Sequence, residues 1–121
     1  MKKILIIDDD VFVRKILIKL LERNEYTVIA ASNGDQGIQL FKDHHPDLVI
    51  TDIIMPEKEG LETIGELKEL NSDVKIIAMS GGGFGDPGMY LDLASSFGAV
   101  RTFLKPINNN ALLSTIKDLI A

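Results

Sequence analysis

Lys3-Ile4-Leu5-Ile6-Ile7-Asp8-Asp9-Asp10, residues 3–10, puts four consecutive aliphatic side chains directly before three carboxylates. A strand with no alternation of wet and dry positions must be covered on both faces, and such strands build parallel sheets. Four more runs of this kind occur at 26–30, 48–51, 74–79 and, more weakly, 100–104. Between them the apolar spacing lengthens to that of a helix. Val13, Ile16, Leu17, Leu20 and Leu21 share one face, with Arg14, Lys15, Lys19, Glu22 and Arg23 opposite. A second helix is expected at 34–43, with Ile38, Leu40 and Phe41 inward, and a third at 60–70, with Leu61, Ile64, Leu67 and Leu70 inward. The fourth has Asp86 as N-cap, Pro87 at its first position and Gly98 as its stop. The fifth starts near 108–110 and turns Leu112, Leu113, Ile116, Leu119 and Ile120 inward. Five strands alternating strictly with five helices, joined by right-handed crossovers, give an α/β fold: a doubly wound, five-stranded parallel sheet with helices on both faces.

Composition narrows the function. The 121 residues, with no repeat, low-complexity tract or linker, correspond to one domain over 1–121. The 45% hydrophobic content is enough for a real core, and the lack of cysteine excludes disulfides, a thiol nucleophile and Cys-based zinc or iron–sulfur sites. A balance of 13 Lys+Arg against 18 Asp+Glu, net −5, argues against a nucleic-acid binder. The apolar run at 4–7 is too short for the core of a signal peptide. No stretch approaches the ~18 apolar residues of a membrane span, so a cytoplasmic protein without membrane insertion is expected.

In a doubly wound sheet, ligands bind outside the carboxyl ends of the strands. The first strand delivers Asp8, Asp9 and Asp10 there, the third Asp52, the fourth Ser80 and the fifth Lys105. Asp10, next to the first helix, reads as its cap. Capping does not account for Asp8, Asp9 and Asp52 converging, because two carboxylates ~4 Å apart repel by about 4 kcal/mol at an effective dielectric near 20. One lysine does not neutralise three carboxylates. Oxygen donors without His or Cys suit Mg²⁺, which takes one or two carboxylates together with waters and phosphate oxygens. A carboxylate beside such an ion and facing a lysine is a nucleophile for a phosphoryl group, so Asp52 is the candidate, with Lys105 and the Ser80 hydroxyl on the transferring oxygens. Pro106 fixes the turn that aims Lys105 inward. His44-His45 read as an exposed connector, Met55-Pro56 as a site-shaping turn, and Tyr90 and Leu91 as the packing face of the fourth helix.

ILIIDDD at 4–10, DLVITDIIMPEKEG at 47–60, IIAMSG at 76–81 and GAVRTFLKP at 98–106 together resemble the receiver domain of bacterial two-component response regulators, of the stand-alone chemotaxis-regulator type. The resemblance implies strand order 2-1-3-4-5 and Asp52 as phosphoacceptor. It implies Mg²⁺ (or Mn²⁺) held by Asp8, Asp9, Asp52 and the backbone carbonyl of Ile54, with Asp9 a more direct ligand than Asp8. Ser80 becomes the switch hydroxyl and Lys105 the phosphoryl-binding lysine. The implied donor is a sensor histidine kinase or His-phosphotransfer protein, and the implied output is a protein target docked on the face of helix 4, strand 5 and helix 5. On this reading the protein is no enzyme beyond its own phosphorylation and dephosphorylation, and with nothing after the last helix it acts by binding a partner or passing the phosphoryl group on.

Two departures from the family pattern stand out. Thr102 occupies the place of the usual aromatic, and Phe103 beside it points to the opposite face. The glycine-rich stretch 81–85 is expected to act as a phosphorylation-dependent element. Three alternatives compete. An Asp-nucleophile phosphatase or phosphotransferase of the haloacid-dehalogenase kind would need a second Asp where Ile54 stands. A flavin-binding protein would need a phosphate cradle where the three aspartates stand. A degenerate receiver serving as a scaffold would not need Asp8, Asp9, Asp52, Ser80 and Lys105 together.

Overall fold

The computed structural model describes residues 1–53, 60–81 and 87–120, with Pro87, Gly88 and Tyr90 described by backbone alone. The elements run β1 (Lys3–Ile7), α1 (Val11–Arg23), β2 (Thr27–Ala31), α2 (Gly34–His44), β3 (Leu48–Asp52), α3 (Gly60–Leu70), β4 (Ile76–Ser80), α4 (Pro87–Phe97), β5 (Arg101–Leu104) and α5 (Asn109–Ile120). The five strands form one parallel sheet in the order β2-β1-β3-β4-β5.

Every central strand feeds two cores, which is why its run is apolar without a break. Ile4 and Ile6 of β1, Leu48 and Ile50 of β3, and Ile77 and Met79 of β4 pack with Leu17 and Leu21 of α1 and Leu112, Ile116 and Ile120 of α5. The intervening Leu5, Ile7, Val49, Ile76 and Ala78 pack on the other side with Ile38 and Phe41 of α2, Ile64 and Leu67 of α3, and Ala94 of α4. Truncating one such aliphatic side chain to alanine costs about 2–5 kcal/mol.

Several boundaries differ from the sequence reading for local reasons. The run 26–30 becomes β2 one residue later because the Tyr26 amide closes the preceding turn onto Leu21 O (3.1 Å). The run 74–79 starts as strand only at Ile76, since the Val74 amide is spent on Asn71 O (3.1 Å). β3 extends through Asp52, which pairs with Met79, and Val100 lies before β5. Ile16 and Leu70, expected inward, are exposed. The arc of α1 that meets the sheet centres on Leu17 and Leu21, and Ile16 stands about 100° round from Leu17. Leu70, the last residue of α3, stands about 120° from Ile64.

The fourth helix begins at Pro87 as expected, and Gly98 (φ 128°) ends it in a left-handed conformation that side chains resist. Asp86, its expected cap, lies outside the described residues. His44 closes α2, and His45 is its left-handed C-cap (φ 48°), both exposed as the connector reading requires.

Candidate phosphoryl-acceptor site

The site forms where the strands deliver their last residues. Asp8 is fully buried, Asp52 nearly so, and Asp9 exposed. One carboxylate oxygen from each lies within 4.8 Å of the others. Lys105, immediately after β5, reaches in from the far side. Its Nζ stands 3.0 Å from Asp8 Oδ2 and 3.4 Å from Asp52 Oδ2. Burial disfavours the charged ammonium, but the hydrogen bond to Asp8 and the charges of Asp52 and Asp8 outweigh it. The Lys105 pKa is therefore held above its ordinary 10.5.

Asp8 is the fixed member of the acidic group. Its amide donates to Ala31 O (3.1 Å), its Oδ1 accepts from the Asp10 amide (2.9 Å), and its Oδ2 takes Lys105. Its carbonyl accepts from Arg14 Nη1 (2.7 Å). Asp10 is the α1 N-cap, accepting from the amides of Phe12 (2.8 Å) and Val13 (3.4 Å). The capping role and the site role thus fall to different aspartates.

Asp52 is set by backbone contacts. Thr51 Oγ1 donates to Asp52 O (2.9 Å), and the Ile53 amide donates to Met79 O (3.0 Å). Gly60 then brings α3 against this strand end, its amide donating to Ile53 O (2.7 Å). A Cβ at residue 60 would lie 2.1 Å from Asp52 O and 2.5 Å from Ile53 Cα, so only glycine permits that approach. Ser80 closes the site. Its carbonyl accepts from the Lys105 amide (2.8 Å), while its buried Oγ has no hydrogen-bond partner among the described residues. A buried hydroxyl left unpaired costs about 1–3 kcal/mol, so this oxygen is poised for a polar ligand.

Three carboxylates without His or Cys, facing one ammonium, fit a hard divalent cation. Ile54, whose carbonyl was expected to join them, lies outside the described residues, as do Met55-Pro56 and residues 82–85 of the glycine-rich stretch. Thr102 is half-buried and pairs with Ala78, while Phe103 packs into the α1–α5 core, on the face that strand alternation assigned to it. Leu91 packs against the opposite core, as expected.

The sequence reading missed Arg14, which it treated as one of the outward charges of α1. Helical side chains lean toward the N-terminus, so a long base in the second turn reaches back to the β1–α1 loop. That geometry was the available signal.

The model of the response regulator receiver domain matches residues 4–117. The chain belongs to that family. This receiver is 36% identical over 115 residues to the chemotaxis protein CheY of Bacillus subtilis, covering 94% of this chain and 93% of the relative. It is 30% identical over 119 residues to the CheY of Halobacterium salinarum, covering 98% and 97%. Among solved structures, a response regulator receiver domain protein from Clostridium thermocellum superposes with a TM-score of 0.91 at 30% identity, covering 99% of this chain and 94% of that one. The receiver is a two-component phosphorelay module, and the family gives no support to the phosphatase alternative. No helix among the described residues is long and apolar enough to cross a membrane.

Proposed function

We propose that this receiver, one domain over 1–121, accepts a phosphoryl group on Asp52 from a sensor histidine kinase or His-phosphotransfer protein and thereby changes its affinity for a downstream protein. The observation that carries this reading is the convergence of Asp8, Asp9 and Asp52 on Lys105 beside the unpaired Ser80 hydroxyl. In the transfer an Asp52 carboxylate oxygen forms the new O–P bond as the N–P bond to the donor imidazole breaks. The imidazole nitrogen leaves with that electron pair. The Lys105 ammonium stabilises the charge on the phosphoryl oxygens, and Ser80 Oγ donates a hydrogen bond to one of them.

Asp9, Asp52, Asp8 and the Ile54 carbonyl would hold Mg²⁺ (or Mn²⁺), which supplies positive charge opposite the phosphoryl oxygens. The protein turns over no substrate besides its own phosphoryl group, and it works in the cytoplasm. The exposed Val100 and Leu104 support output through the face of α4, β5 and α5.

Intact-mass measurement after incubation with Mg²⁺ and acetyl phosphate tests the reading. The expected result is a gain of one phosphoryl group that vanishes with chelator and in Asp52→Asn. No gain, even from a phosphorylated donor protein, would leave a metal-binding scaffold.

A further inference from the structure

A second apolar surface runs along α4, and it does not depend on the chemistry of the phosphoryl site. Met89, Leu93 and Phe97 of α4 are 51%, 39% and 47% exposed. Spaced four residues apart, they form one stripe along the helix. The direction of that stripe is fixed by Phe97: a methyl group added at Gly65 of α3 would lie 3.9 Å from its ring. The stripe therefore borders α3, on the side of α4 away from the Asp92 and Ser95 positions. Beside the stripe, α3 offers Gly65, which has no side chain, and the half-buried Leu61.

Charge marks what this face suits. Glu62 and Glu69 stand three residues before and four after Gly65, on the same face of α3, and both are exposed. The sole base on either helix is Lys68. Its ammonium is turned onto Ser72 O (3.3 Å) and Val74 O (3.0 Å), and its stem packs under Gly98. An apolar strip beside an acidic wall complements an apolar stripe with basic flanks. A second copy of this chain would meet like charge if it offered the same face.

We propose that the α3–α4 face docks an amphipathic helix of a partner protein, its apolar stripe seated on Met89, Leu93 and Phe97 and its flanking Lys or Arg on Glu62 and Glu69.

The test is NMR titration of the full, unphosphorylated chain with a Leu/Lys amphipathic peptide of about 18 residues, five helical turns. Two control peptides share its length: one scrambled, one with Glu for Lys. The expected result is saturable shifts centred on Gly65, Leu93 and Phe97 with the Leu/Lys helix alone. Leu93→Ser and the charge reversal Glu69→Lys at an exposed position should each weaken binding roughly tenfold. Shifts centred on the carboxylates of the phosphoryl site or on Val100 and Leu104 would overturn the proposal. So would equal binding of either control, or no binding at all. Concentration-dependent dimerisation abolished by Leu93→Ser would give this face to a second copy instead, and also overturn the proposal.

Discussion

The two ends of the sheet use charge in opposite ways. At the amino end, where the helices finish, lysines bond to backbone carbonyls. Lys3 Nζ donates to His44 O at the end of α2 (3.1 Å), Lys75 Nζ donates to Leu119 O near the end of α5, and Lys68 serves the connection after α3. His44 O and Leu119 O are among the carbonyls a helix C-terminus leaves without a partner, and cations there also suit the helix dipole. At the carboxyl end the helices begin, and three aspartates crowd around one lysine beside an unpaired hydroxyl. At the first end these three lysines find their partners within the fold. At the second, among the described residues, three carboxylates gather near a single ammonium, and that excess of acid gives the site its capacity to take a cation and a phosphoryl group.

Perturbations at the two ends should therefore separate chemistry from stability. The largest effect is that of Asp52→Asn, which should abolish phosphoryl uptake while leaving the fold intact by circular dichroism. Next, Lys105→Met should slow uptake from acetyl phosphate at least about 100-fold, on the scale of losing one preorganised group that stabilises transition-state charge. Unchanged uptake kinetics would remove Lys105 from its role.

The same lysine predicts a pH dependence. Its folded pKa lies above its ordinary value, so its contribution to stability is complete below pH 10.5 and is lost as the pH rises through the folded pKa. Melting temperatures followed upward from pH 10.5 should fall more steeply for wild type than for Lys105→Met. At the amino end, Lys68→Met should cost about 1–2 kcal/mol in urea unfolding, with phosphoryl uptake unchanged. The smallest effect is expected from Asp9→Asn, which relieves carboxylate repulsion. Its melting temperature without Mg²⁺ should match or exceed that of wild type, and stabilisation by added Mg²⁺ should shrink. A clear loss of metal-free stability would contradict the crowding.

The contrast also explains what could be read from the chain itself. Ile4 to Ile7 announce a strand covered on both sides because each must enter one of two cores, and any polar residue among them would be buried unpaired. Asp8, Asp52, Ser80 and Lys105 were legible because topology alone brings strand ends together. Helix faces were less so. Five apolar residues of α1 share a broad arc, and nothing in their spacing says that the sheet reaches Leu17 and Leu21 but not Ile16. The Arg14 bond to Asp8 O, the missing partner of Ser80 Oγ and the tight approach at Gly60 depend on sub-ångström placement, which pattern does not encode.

The charges on the helices have a consequence for the molecule as a whole. α1 carries Arg14, Lys15, Lys19 and Arg23 against Glu22 on one side of the sheet, while α3 and α4 carry Glu62, Glu66, Glu69 and Asp92 against Lys68 on the other. Added together they make an electric dipole across the sheet. In about 0.01 M salt, where charges are felt over ~30 Å before screening removes them, such a molecule should orient in the field of a charged surface before touching it. On a negatively charged resin it should land α1 first in spite of its net charge of −5, with its acidic helices turned to the solution.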